Sequence, residues 1–210
     1  MKRLGLLFAV LLLWSCTAVA QESLEYVEGK DYTLVTPPQP SADPARIEVL
    51  EFFWYGCPHC LNFEPSLLDW QANIPQDVAF IRQPAIFHER WAAHAKAFFT
   101  AQALGMADKL HADFYEAIQK KQRALSDEED LAKFFAEHGV ADADFRKAFH
   151  SFSVDTQMRQ AQAMGPSYGV TGTPTLVING KYRVQGEGAK SIAVMNFLID
   201  KERVGLKAKH

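Results

Sequence analysis

The segment Ile47–Phe53, with the sequence IEVLEFF, most constrains what this chain can fold into. It is nearly all apolar on both faces, which is typical of a central strand buried between two layers. A second strand is predicted at Val78–Arg82 (VAFIR), and a helix that ends by Pro75 is predicted between the two. The apolar positions of that helix are Leu61, Phe63, Leu67, Leu68 and Trp70. The segment therefore opens a predicted β-α-β unit.

Strand patterns return only near the end of the chain. Thr175–Ile178 is rich in β-branched residues, and Tyr182–Val184 follows it across Asn179-Gly180, a dipeptide typical of a type I′ hairpin turn. An amphipathic helix is predicted over Ser191–Arg203. Residues 21–46 are polar and rich in proline, so we expect an extended arm with one short edge strand.

Between these two regions the pattern is helical, from about Trp91 to Met164. Gly105, Gly139 and Gly165 lie where these helices are expected to end. The order of elements is therefore β-α-β, a helical block, then β-β-α. This order predicts one α/β domain interrupted by an all-helical insertion.

The first twenty residues differ from the rest. Lys2 and Arg3 precede the apolar run Leu4–Trp14, which is too short to span a bilayer, and Ala18–Ala20 offers a small-x-small cleavage site. Residues 1–20 are therefore predicted to be a secretory signal peptide, with a retained membrane anchor as the alternative. Cys16 suggests lipidation, but the bulky Trp14 just before it fits that poorly.

Loss of that segment would leave two of the three cysteines, Cys57 and Cys60, and would move the formal charge from −3 to −5 because Lys2 and Arg3 are lost with it. A mildly acidic chain without a basic run argues against nucleic acid as a partner. An exported protein with one close cysteine pair is not a disulfide scaffold, and a four-residue loop constrains the unfolded chain very little. The pair is predicted to perform chemistry.

A metal site is one alternative for the pair. Structural zinc needs four Cys or His ligands, usually in two close pairs, and the sequence has neither a second CxxC nor an HxxxH. Haem attachment would need His directly after the second cysteine, where the chain has Leu61. We expect no metal or cofactor beyond a redox-active disulfide between Cys57 and Cys60.

The redox interpretation fits the local sequence better. Cys57 is predicted at the start of a helix, where unpaired N–H groups and the helix dipole favour the thiolate. Pro58 suits the first helical turn, and His59 adds a donor and a possible positive charge. Cys60 should be the buried resolving thiol. Groups that stabilise the reduced, ionised state make a protein a strong oxidant.

Two further features are candidates for the site. Glu51 interrupts a buried strand, and it could accept or deliver the proton of Cys60, with Arg82 as its counter-charge. The alternative is that the strand ends early and Glu51 is solvated. Thr173-Pro174 lies between a glycine turn and a strand, which makes a cis bond plausible. A cis proline there would leave backbone groups free to pair with an extended substrate.

Together, IEVLEFFWYGCPHC, the helical block and GVTGTPTLVINGKY resemble the DsbA family of periplasmic thiol:disulfide oxidoreductases. The resemblance covers nearly the whole chain after residue 20, and CPHC after LEFF is far more specific than CxxC alone. It implies a thioredoxin-like fold within the α/β class. That fold would occupy residues 21–86 and 166–210, and an all-helical insertion domain would occupy 87–165.

The resemblance also implies roles for individual residues. The nucleophile would be Cys57, the resolving cysteine Cys60, the buried acid Glu51 and the cis-proline Pro174. It implies a monomeric periplasmic enzyme that donates its disulfide to newly exported, reduced proteins. A DsbB-type, quinone-linked membrane protein would reoxidise it.

One residue departs from the pattern of oxidising members. They often carry Val before the cis-proline, whereas this chain has Thr173, as is commoner in thioredoxin-like isomerases. A reductase or isomerase of the same fold is therefore the main alternative, although residues 21–46 are too few for the N-terminal dimerisation domain of such isomerases. A periplasmic chaperone that binds unfolded chains through Trp54 and Tyr55 is a third possibility, with ordinary core packing as the alternative for both aromatics.

Overall fold

The computed structural model describes residues 26–207, so the predicted signal peptide and Cys16 lie outside the described residues. The part described contains a five-stranded sheet. Its strands are β1 (Thr33–Leu34), β2 (Ile47–Phe53), β3 (Val78–Pro84), β4 (Thr175–Ile178) and β5 (Tyr182–Gln185). The predicted strands are therefore confirmed, two of them with slightly later ends, and the short edge strand of the arm is β1.

The strand order is β1-β5-β4-β2-β3, which places β2 inside the sheet. Every residue of β2 is buried, as its apolar sequence predicted. It pairs parallel with β3 and antiparallel with β4, and the parallel register sets Glu51 opposite Arg82. The β4–β5 hairpin turns at Asn179 and Gly180, whose φ values of 50° and 66° have the sign that a type I′ turn requires.

Seven α-helices accompany the sheet in the described residues. They are α1 (Pro58–Gln71), α2 (Glu89–Ala103), α3 (Ala107–Tyr115), α4 (Glu128–Glu137), α5 (Asp142–Phe149), α6 (Phe152–Ser167) and α7 (Ala189–Lys207). A π-helical turn, Glu116–Lys120, directly follows α3. None of these helices is long and apolar enough to cross a membrane.

The prediction for the helix ends is right at Gly105 and Gly139, which follow α2 and α4 with positive φ. It is wrong at Gly165, which lies inside α6. Gly165 is buried there, and a Cβ would contact Phe87 at 3.6 Å. That contact would be an ordinary one, and Gly165 lacks the positive φ of a helix-ending glycine, so the helix continues to Ser167.

The core has three parts. On one face of the sheet, Ile47 and Val49 pack with α1 and α7; on the other, Leu50 and Phe52 pack with the end of α6. The third part is the interior of the helices that follow β3, and it reaches Phe53 and both cysteines. The cysteines therefore lie where the sheet meets these helices. The exact division of the chain into domains stays a prediction.

Two neighbouring leucines of α1 test this packing. Leu67 is fully buried, whereas Leu68 is 55% exposed. We expect Leu67→Ala to lower the free energy of unfolding by about 2–5 kcal/mol because it leaves a cavity between α1 and the sheet. Leu68→Ala, the matched control, should change it by less than about 1 kcal/mol. Urea unfolding of both variants measures the difference, and equal losses would contradict the described orientation of α1.

Candidate active site

Cys57 and Cys60 lie at the start of α1, and both are free thiols in the structure. Cys57 is the N-cap residue, with extended backbone angles, and Pro58 follows as the first helical residue. Cys57 is 7% exposed and Cys60 is fully buried one turn later. This arrangement gives an accessible sulfur at the helix start and a resolving sulfur behind it.

The two thiols differ in acidity. Hydrogen bonds from the Cys60 thiol, from the Thr173 side chain and from the backbone N–H groups of Cys60 and His59 outweigh burial and lower the pKa of Cys57 to about 5. Burial raises the pKa of Cys60 far above its ordinary value, and the hydrogen bond and charge of Cys57 raise it further. At neutral pH, Cys57 is a thiolate and Cys60 a thiol.

Thr173 and Pro174 lie against this pair. The Thr173–Pro174 peptide bond is cis, as predicted. In the thiol form, Cys57 Sγ donates a hydrogen bond to the Thr173 carbonyl oxygen at 3.3 Å. The loop before β4 therefore contacts the reactive sulfur directly, although it is 116 residues away in sequence.

Gln119 is a contact that the sequence did not indicate. It lies in the π-helical turn after α3, and its Nε2 donates to the carbonyl oxygens of Tyr55 at 2.8 Å and of Cys57 at 3.0 Å. The helical insertion thus holds the backbone on both sides of Gly56, just before α1. Turns of this type are often found at functional sites.

The aromatic residues before the cysteines are mainly packing residues. Tyr55 is 1% exposed and stacks on Phe114 of α3. Trp54 is partly buried and stacks on Trp91 of α2 at a centroid distance of 4.3 Å. Tyr55 therefore offers no surface to an unfolded chain, and Trp54 offers only part of its side chain.

Glu51 is fully buried beneath the site, so the alternative of a solvated carboxylate is wrong. Its Oε2 lies 3.5 Å from Arg82 Nε, which confirms the predicted counter-charge. Among the described residues, neither carboxyl oxygen of Glu51 has a hydrogen-bond partner. Burial, with the nearby charge of Glu64, raises the pKa of Glu51 to about 8, although Arg82 opposes the shift.

Glu64 of α1 is the second buried carboxyl beneath the site, and the sequence prediction missed it. It accepts hydrogen bonds from His111 Nε2 at 3.0 Å and from Arg82 Nη2 at 3.1 Å. Burial opposes its ionisation, but these two donors outweigh burial and lower the pKa of Glu64. Only the helical spacing from Cys60, four residues earlier, could have indicated that Glu64 points towards the core.

His111 connects Glu64 to Tyr55. Its Nδ1 lies 3.0 Å from the Tyr55 hydroxyl, and burial lowers the pKa of His111 despite its bond to Glu64. We assign the neutral tautomer that donates from Nε2 to Glu64 and accepts at Nδ1 from Tyr55. Arg82 and Glu64 then balance each other, so the buried cluster is neutral only if Glu51 holds a proton.

His59 lies on the surface next to the exposed Pro58, with 70% of its side chain exposed. Its Nδ1 lies 2.9 Å from Glu187 Oε1, in the loop between β5 and α7. The structure thus brings together all seven predicted residues at the start of α1, beneath it and beside it: Glu51, Cys57, Pro58, His59, Cys60, Thr173 and Pro174. Gln119, Glu64, His111 and Glu187 are the additions.

No group of three or more His, Cys, Asp or Glu side chains within residues 26–207 is arranged to hold a metal. The chemistry that the site can perform is thiol–disulfide exchange, because it combines an accessible thiolate, a buried thiol and a buried carboxylic acid.

Known proteins are similar to this chain in sequence. A family model for the DSBA-like thioredoxin domain matches residues 48–199. The thiol:disulfide interchange protein DsbA of Pseudomonas syringae pv. tomato is 44% identical over 93% of this chain and 92% of its own length. That of Pseudomonas aeruginosa is 38% identical over 96% of this chain and 98% of its own length.

Solved structures agree with the sequence relatives. The crystal structure of Pseudomonas aeruginosa DsbA is similar with a TM-score of 0.83 and 39% identity, covering 87% of this chain and 97% of that one. DsbA from Xylella fastidiosa has a TM-score of 0.79 and 34% identity, covering 85% and 98%. The fold is thus thioredoxin-like, as expected from the resemblance. The chain belongs to the DSBA-like thioredoxin family and is a disulfide oxidoreductase.

The two carboxyls buried beneath the site, Glu51 and Glu64, should respond oppositely to the same isosteric change. Folded Glu51 keeps a proton that the unfolded chain releases above its ordinary pKa of 4.5, so the stability of the protein falls as pH rises from 4.5 to about 8. Glu51→Gln removes this penalty, and we expect it to raise the free energy of unfolding at pH 7 by about 1–3 kcal/mol. Urea unfolding at pH 5, 7 and 8 should show the gain growing with pH.

Glu64→Gln is the matched control. Glu64 has a lowered folded pKa, so its ionised form stabilises the protein above the unfolded pKa, and Gln in its place removes the carboxylate that accepts hydrogen bonds from Arg82 and His111. The expected loss is about 3 kcal/mol. Glu51→Gln should also slow thiol exchange about tenfold or more, because the Gln amide cannot donate a proton to Cys60 as the carboxylic acid can. A loss of stability in both variants would show that Glu51 is ionised in the folded protein.

Proposed function

We propose that this protein is an oxidase in the periplasm that transfers the Cys57–Cys60 disulfide to newly exported proteins. The low pKa of Cys57 carries the proposal, because a stabilised thiolate favours the reduced form and so makes the disulfide strongly oxidising. The DsbA relatives, the CPHC sequence and the predicted signal peptide support it.

The reaction follows from the two sulfurs. A substrate thiolate attacks Cys57 Sγ, a mixed disulfide forms, and the bond to Cys60 Sγ breaks. Because Cys60 is strongly disfavoured as a thiolate, it takes up a proton, for which Glu51 is the buried donor. A second substrate thiolate then attacks the substrate sulfur of the mixed disulfide and releases the Cys57 thiolate. The substrate dithiol is thereby oxidised to a disulfide, and the Cys57–Cys60 disulfide is reduced to two thiols, a two-electron transfer.

The cycle closes when a DsbB-type, quinone-linked membrane protein removes those electrons. The loop at Thr173 and Pro174 lies beside Cys57 Sγ, so an extended segment of either partner can lie along it while the mixed disulfide exists. We propose that the protein acts as a monomer.

A reductase or isomerase of the same fold remains the alternative, and the redox potential separates the two. Equilibration with glutathione, read as free-thiol content, should give a value near −120 mV for the proposed oxidase. A value near −270 mV would indicate a reductant. Substitution of both cysteines by Ser should abolish activity, whereas a chaperone would keep it.

The stability of the two redox states should cross with pH. The depressed pKa of Cys57, about 5, stabilises the reduced protein fully above the unfolded pKa of about 8.5, and this stabilisation is lost as pH falls to 5. At pH 8 it amounts to about 4 kcal/mol, against about 2 kcal/mol that the short disulfide loop gives the oxidised protein. We expect the reduced protein to have the higher melting temperature at pH 8 and the oxidised protein to have it at pH 5. The two melting temperatures should be equal at about pH 6.5.

Paired thermal melts with and without reductant measure the crossing. Cys57→Ser is the control, because a hydroxyl does not titrate in this range and its stability should lack this pH dependence. An oxidised protein that melts higher throughout pH 5–8 would remove the physical basis of the oxidase proposal.

A further inference from the structure

His59 lies between the two reactive cysteines in sequence, and a distant segment holds its side chain. Its Nδ1 is 2.9 Å from Oε1 of Glu187, which is 128 residues further along the chain. Glu187 belongs to the loop between β5 and α7, not to the motif that carries the redox chemistry. The contact therefore fixes the imidazole from outside its own helix.

The loop is shaped to present this carboxylate. Gly186 and Gly188 flank Glu187 with φ values of 108° and 88°, a region that residues with a Cβ rarely adopt. Oε2 of Glu187 is buried and has no hydrogen-bond partner among the described residues. The carboxylate is thus partly withdrawn from water, and His59 is the group that it faces.

We propose that Glu187 is a positioning residue that keeps His59 protonated beside Cys57, so that the protein stays a strong oxidant at higher pH. The proposal deepens the proposed function, on which it rests for the direction of disulfide transfer.

The argument is one of linked charges. The hydrogen bond and then the charge of Glu187 raise the pKa of His59, and the Cys57 thiolate raises it further. Because coupling between two sites is reciprocal, a protonated His59 stabilises the thiolate in return. The thiolate exists only in the reduced protein, so this stabilisation makes the disulfide more oxidising. Without Glu187, the imidazole would lose its proton at lower pH, and the thiolate would lose its positive neighbour.

Other charges near the loop are engaged elsewhere. Lys190, at the start of α7, lies 2.8 Å from Asp31 Oδ1. Cys60 is a neutral thiol at neutral pH because burial raises its pKa. The charged groups that act on His59 are therefore Glu187, from the loop, and the Cys57 thiolate, from its own turn.

The test compares Glu187→Gln with the unchanged protein at pH 5.5 and pH 8. NMR titration of the His59 ring should show a lower imidazole pKa in the variant. The equilibrium constant for reduction of the protein by glutathione should fall about two- to fivefold at pH 8, the range for exposed ion pairs. It should not fall at pH 5.5, where His59 is protonated in both proteins. In a His59→Ser background, Glu187→Gln should have no such effect.

Asp31→Asn is the control, since it removes one negative charge near the same loop without touching His59. It should leave the His59 titration and both equilibrium constants unchanged. An unchanged His59 titration in Glu187→Gln, or a loss at pH 8 that persists in the His59→Ser background, would overturn the proposal. A reductant-like potential of the unchanged protein would refute the oxidase function instead, while leaving the His59 titration as a separate result.

Discussion

Two sulfur atoms three residues apart are held in opposite protonation states, and the rest of the site depends on this. The start of a helix meets the requirement, because its free N–H groups point at the first residue and not at one a turn later. Cys57 receives those hydrogen bonds at the surface, whereas Cys60 is fully buried. The apolar strand β2 makes this possible, because it is buried along its whole length and α1 begins shortly after its end.

Burial beneath the helix creates a second requirement, which is charge balance. The parallel register of β2 and β3 sets Glu51 opposite Arg82, and the turn of α1 that follows Cys60 adds Glu64 to the same guanidinium. One cation cannot neutralise two carboxylates in a place without water. Glu64 has the better hydrogen bonds, so the proton remains on Glu51. A buried acid that is already protonated can supply the proton that Cys60 needs when the disulfide opens.

The parts of this design that were predicted from the sequence are local in the chain. The strand IEVLEFF, the CPHC turn and the Asn179-Gly180 hairpin depend on neighbouring residues, so pattern and spacing predict them. Glu51 was found because a carboxylate in an apolar strand conflicts with its surroundings. Gln119, His111 and Glu187 form no such conflict, because each is an ordinary polar residue in its own segment. Their roles arise from packing between segments far apart in sequence. Gly165 was misassigned because a glycine without the left-handed backbone conformation of a helix end does not stop a helix.

The helical insertion explains why this site differs from a bare strand-to-helix turn. Its α3 covers Tyr55 and Glu64 through His111, and the π-helical turn after it holds the carbonyl oxygens of Tyr55 and Cys57 through Gln119. Cys60 is fully buried in the apolar cluster that Tyr55 forms with Phe114 and Tyr115 of α3. This burial makes ionisation of Cys60 unfavourable, because desolvation is the largest cause of its raised pKa. A thiol that cannot ionise is a poor nucleophile towards the mixed disulfide.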